Sequence, residues 1–231
     1  ASDVYKRQVL GQARAKVPLS EAYIAAYYEK VVAYVQKNMG ADGVLVDPES
    51  RNPTVTDNER IILALTAIGK DPANVGGENL LKALQNKDIM QVTDTSNTDI
   101  NGLVMGLLAL NSRNYTSDTS WLVQAVLAQQ NEDGSWRASA DTKPVGDVDM
   151  TAMALQALAK YRDRQDVADA VERGLTVLSQ QQEENGGFVA YDSESSESIA
   201  QVIVALTELG VSLTDSRFVK SGNTLVSRLL E

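Results

Sequence analysis

At 231 residues with 43% hydrophobic content, the chain is long enough to bury one large core or an array of repeats. Its net charge of −10 disfavours a nucleic-acid backbone as partner, because the 21 Lys and Arg are scattered singly among 31 Asp and Glu. Neither Cys nor His occurs, which excludes disulfides, thiol catalysis, Ser-His-Asp machinery and the ordinary ligand sets of zinc.

No initiator Met is present, and Ala1–Gln8 reads ASDVYKRQ without an apolar period. That string is similar to translated sequencing-adapter sequence at the end of a metagenomic fragment. Residues 1–18 are therefore expected to be non-native or disordered, and a repeat domain is expected over 19–231. A first helix with one apolar stripe follows over 21–38, and its Tyr23, Tyr27, Tyr28 and Tyr34 are expected as core and seam contacts. The polar stretch Thr56-Asp57-Asn58 then opens a helix whose body, IILALTAIG, is apolar on most faces. No apolar run approaches the ~20 residues of a membrane span.

The same alternation recurs along the chain. Striped helices are predicted over 78–85, 118–130, 167–182 and 218–230, and apolar ones in GLVMGLLAL, TAMALQALA and IAQVIVALTEL. Each apolar helix carries an Ala-Leu pair, at Ala64-Leu65, Ala109-Leu110, Ala157-Leu158 and Ala205-Leu206, at intervals of 45, 48 and 48 residues. So steady a period signals one two-helix unit per copy, with the apolar helices inside and the striped ones outside. No stretch alternates with period two for long enough to argue a sheet. The last stripe, Leu225, Leu229 and Leu230, reaches Glu231 without a cap, so the domain is expected to be truncated at its C-terminus.

Two striped helices end in a matched turn. Gln130-Asn131-Glu132-Asp133-Gly134-Ser135-Trp136 parallels Gln182-Glu183-Glu184-Asn185-Gly186-Gly187-Phe188, and Asp42-Gly43 is a weakened copy. Gly supplies the positive φ of a helix exit, and the aromatic packs back over the junction.

Gln-x3-Gly-x-Trp resembles the QW repeat of terpene cyclases, and the chain from about Leu19 resembles the terpenoid cyclase and protein prenyltransferase α/α-toroid superfamily. TDNERIILALTAIGKDP, DVDMTAMALQALAKY and SESIAQVIVALTELG are closer still to Gram-positive surface proteins with prenyltransferase and squalene-oxidase repeats. The VDxxAMAxxALA run is similar to the helical domain of cobalamin carriers. The resemblance implies an all-α fold, a partial α/α toroid of tandem helical hairpins with inner and outer helix layers. It also implies an extracellular or cell-surface setting, with a signal peptide and further domains outside this fragment. Family cyclases carry Asp-x-Asp-Asp-Thr-Ala where this chain has Asp147-Val148-Asp149-Met150-Thr151-Ala152, which would make Asp149 a proton donor supported by Asp147. Met150 replaces the last Asp of that motif, and the family's His partner is missing. The zinc of prenyltransferases and the thioester of complement-type domains lack their Cys and His here.

Thr56, Asn101, Asp149 and Glu197 share one column of the repeat, and four polar residues of different kinds there favour helix capping over acid catalysis. Calcium ligation by Asp94, Asp99 and Asn101, or by Asp133 and Asp141, fits no loop spacing, so solvated loops are expected. No cofactor or metal is expected. The leading function is non-catalytic binding of a small molecule or protein at the toroid rim and cavity. Asn101, Asp149, Glu197, Trp136, Phe188 and Tyr191 are the candidate contacts, although aromatics in the repeat position of Trp136 and Phe188 are more often packing elements. A degenerate cyclase-like enzyme and a structural spacer or docking repeat remain the alternatives.

Overall fold

The computed structural model describes residues 3–90, 99–115, 118–137, 147–190 and 193–231, with side chains from Gln8 onward. These residues are mostly helical, with two two-residue β-ladders, so the all-α expectation holds. The chain divides into two compact units, residues 1–122 and 123–231.

In the first unit, helix α1 spans Asp3–Arg14, inside the stretch set aside above as non-native. It packs on a later helix and buries Val9. Helix α2, Glu21–Asn38, starts at Ser20, whose hydroxyl accepts the Tyr23 N–H, and it buries the single stripe Tyr27, Val31, Val35 and Asn38. Tyr28 and Tyr34 bridge outward, to the Asn74 carbonyl and the Asp57 carboxylate, whereas Tyr23 is exposed. Helix α3, Val55–Ala67, buries Ile61, Ile62, Ala64 and Leu65 among others. It packs against α1 and against helix α6.

The striped helix expected over 78–85 shrinks to α4, Leu81–Leu84. Gly76 and Gly77 both take positive φ, and the Asn79 side chain accepts the Leu81 N–H, so residues 75–80 form a turn instead. Helix α5 is Lys87–Met90, and α6, Ile100–Asn111, buries eight of its twelve residues, as an inner helix should.

Helix α7, Ser120–Ala128, contains the division between the units. In the second unit, α8, Val148–Leu158, is buried on most faces, while α9, Gln165–Gln181, buries one stripe from Val167 to Leu178. Strands β1, Val189–Ala190, and β2, Ser193–Glu194, pair antiparallel ahead of α10, Ser196–Glu208. Helix α8 packs against both α9 and α10. Helix α10 departs from its expected all-round burial. Ile199, Val202, Ala205 and Leu206 are inside, but Val204 is 43% exposed.

The helix expected over 218–230 is not one element. A 3-10 turn, Ser216–Phe218, leads into strands β3, Val219–Lys220, and β4, Asn223–Thr224, and then into the short α11, Leu225–Leu229. Ser221 and Gly222 both take positive φ, which reverses the chain where a helix would have to continue. Thr224 then restarts a helix with a reciprocal cap to Ser227.

Candidate functional site

The helix-exit turns set the frame. Gly43, Gly134 and Gly186 all sit at positive φ. Two residues on, Leu45, Trp136 and Phe188 are fully buried, so Leu45 takes the aromatic position in the weakened first copy. The turn Gln links neighbouring elements: the Gln130 amide donates to the Gly134 and Ala170 carbonyls, and the Gln182 amide to those of Gly186 and Phe218. A polar residue at one column of the inner helix receives the turn. The Leu45 N–H donates to Asn58 Oδ1 (2.9 Å), and the Trp136 N–H donates to Thr151 Oγ1 (3.0 Å).

This frame decides the fate of the aromatic candidates. The Trp136 ring lies beside Leu155 of α8 and Gly174 of α9, close enough that a β-carbon on Gly174 would come within 3.2 Å of it. Its indole N–H donates to the Val126 carbonyl at 2.8 Å. Trp136 and Phe188 therefore belong to the core and present no face to a ligand. Tyr191, Asp94 and Asp141 lie outside the described residues.

The capping column also shifts. The residues that cap are Asp99, Asp147 and Ser195, whose side chains accept the N–H groups of Gly102, Met150 and Ser198. Thr54 occupies the same column but bonds Thr56 instead. The caps thus stand two positions before Thr56, Asn101, Asp149 and Glu197, at the same intervals of 45, 48 and 48. An N-cap needs extended backbone outside the helix, as at Asp147 (φ −77°, ψ 125°). Asp149 is already inside the first turn of α8, so it does not cap.

Asp149 is half-buried, and its Oδ1 is shut off from solvent without a hydrogen-bond partner. Burial raises its carboxyl above the ordinary aspartate value. The Ser198 hydroxyl opposes that rise, and the negative charges of Asp147 and Glu197 add to it. Exposed Glu197 moves the other way: its own N–H, with the Ser196 and Ser195 hydroxyls, holds it below the ordinary glutamate value. The starts of α8 and α10 thus bring Asp147, Asp149 and Glu197 together, with Asp149 raised above its ordinary value beside Glu197 lowered below its own. Met150, next to Asp149, is buried and offers no charged or hydroxyl group.

Asn101 lies in the first unit, half-buried in the first turn of α6. Asp99 caps that helix, and Asp133 accepts the Ser135 N–H within its turn, so both calcium candidates already have local roles. Among the described residues no group of three or more acidic side chains is placed to hold a metal, and no helix is long and apolar enough to cross a membrane.

The residue that the periodic pattern hid is Glu59. It is fully buried on α3, and neither carboxyl oxygen has a hydrogen-bond partner. The matched positions of the other inner helices are Val104, Ala152 and Ala200, so one acid in an otherwise apolar column was its signal. Comparison of the chain with known protein families and with curated proteins finds no match.

Proposed function

We propose that the chain is a non-catalytic binding module of the α/α-toroid type, from a secreted or cell-surface protein, and that it takes its ligand at the starts of α8 and α10. The observation that carries this reading is the junction of Asp147, Asp149 and Glu197, acids from two helix starts close enough for their charges to act on one another. A ligand donor can reach exposed Glu197 and half-buried Asp147, but not the shielded Oδ1 of Asp149. The ionised Glu197 beside it favours a ligand bearing amines or hydroxyls over an anionic one. The toroid arrangement draws support from the recurring register of caps and turns, and the surface setting from the family resemblance alone.

Calorimetry tests the reading, with polyamines, a basic peptide, cobalamin and cell-wall glycans titrated into the protein and into Asp149→Asn and Glu197→Gln. Saturable binding that weakens in both variants supports it. Silence across the panel, or binding indifferent to both substitutions, moves the assignment to a structural spacer or docking repeat.

One observation favours a second reading. Burial raises the Asp149 carboxyl above the ordinary aspartate value, the direction in which a proton donor to an alkene is tuned. Incubation with prenyl diphosphates and squalene, followed by mass spectrometry, separates the two. No product is expected, and turnover lost in Asp149→Asn would establish the enzyme instead.

A further inference from the structure

Glu59 stands on α3 facing α6, where its carboxyl meets backbone rather than a polar partner. A β-carbon built on Gly106 of α6 would come within 3.2 Å of Glu59 Oε1, 2.6 Å of the Met90 methyl and 3.9 Å of a Leu122 methyl. Gly106 is therefore the notch that admits the carboxyl, and Met90 and Leu122 make its surroundings apolar. An ionised carboxylate in such a place loses its hydration and gains nothing in return, whereas the neutral acid loses far less.

The charges acting on Glu59 do not change that balance. Burial is the largest influence and raises its carboxyl well above the usual range; Arg60, next to it on α3, favours the anion, and Asp99, the cap of α6, opposes it. Of the other helices packed on α3, α1 ends in Arg14, which has an interaction of its own, and α4 carries Lys82, whose side chain lies along Gly43. Among the described residues no cation is hydrogen-bonded to the carboxyl to hold it as an anion in the closed packing.

We propose that Glu59 is a protonation latch on the α3–α6 contact: with its proton the two helices close over it, and loss of the proton loosens them so that water reaches the carboxylate. A Val, as at the matched position 104, would hold the same contact shut at every pH, so the acid confers a response that a purely structural residue would not.

Hydrogen exchange read by mass spectrometry on the whole chain tests this, in wild type, Glu59→Gln and Glu59→Val. Residues 55–67 and 100–111 are followed against α9, after correction for intrinsic exchange rates. In wild type the opening equilibrium of those two segments should rise with pH above the ordinary glutamate value, by up to roughly tenfold per pH unit, and then level off once the carboxyl ionises in the folded state. Both variants should show no such rise. Variants that keep the wild-type pH response would overturn the proposal. Should neither variant fold, carbon-13 NMR of glutamate-labelled wild type decides it. One Glu carboxyl that keeps its proton when all others have titrated is expected, and a full set titrating at ordinary values refutes the latch.

Discussion

Trp136 offers the sharpest test of whether the helix-exit aromatics are core or ligand contacts. Its ring fills the space between Leu155 of α8 and Gly174 of α9, fully out of solvent, and its indole N–H holds the Val126 carbonyl. Trp136→Ala removes the whole ring from a site closed by two helices, and such deletions cost about 3–5 kcal/mol. Trp136→Phe keeps most of the ring and removes one of two hydrogen bonds to the Val126 carbonyl, which the Gln129 N–H still donates to, a loss of about 0.5–1.5 kcal/mol. Urea denaturation followed by far-UV circular dichroism measures both, with Trp121 fluorescence as a second probe. The expected order is wild type, then Phe, then Ala. An Ala variant within about 0.5 kcal/mol of wild type would place the ring outside the core and reopen its role in binding.

Three further outcomes follow from the same geometry. Gly134→Ala forces a side chain to φ 93° and sets its β-carbon 2.8 Å from the Arg173 β-carbon; a loss above about 1 kcal/mol in the same denaturation assay is expected. Asp147→Ala removes the α8 cap and should cost about 1 kcal/mol, whereas Thr56→Val, at the position first expected to cap, should cost less; equal losses would undo the assignment of the cap column. Because the folded protein holds the Asp149 proton more tightly than the unfolded chain does, the stability linked to this residue is greatest below the ordinary aspartate range and falls as pH rises through it. Thermal melts across that range should show a shallower decline for Asp149→Asn than for wild type.

The inner helices were legible because α3, α6 and α8 are apolar on most faces and recur at a near-constant interval, a pattern only a buried helix requires. The turns were legible because Gly43, Gly134 and Gly186 stand where positive φ is needed. The column Thr56, Asn101, Asp149 and Glu197 stands two positions past the residues that cap. A polar residue at the first turn and one at the cap look alike in sequence, since both oppose the helix dipole, and only backbone geometry separates Asp147 from Asp149. The final helix failed at Ser221-Gly222, a pair that reads as a small interruption but turns the chain fully. Of the site, the column containing Asp149 and Glu197 was visible. Their opposite electrostatics were not, because burial and the hydroxyls of Ser195, Ser196 and Ser198 come from tertiary placement. Glu59 was hidden by its neighbours: in a helix this apolar, one charge is absorbed by the pattern unless the copies are compared column by column.

The binding account stands or falls on the state of two carboxyls. Carbon-13 NMR titration of Asp149 and Glu197, assigned through Asp149→Asn and Glu197→Gln, measures them directly. Asp149 should titrate above the ordinary aspartate value of 3.8 and Glu197 below the ordinary glutamate value of 4.5. An Asp149 midpoint at or below 3.8 would contradict the burial and neighbouring charges that raise its carboxyl, and the acid junction on which the binding account rests would be lost.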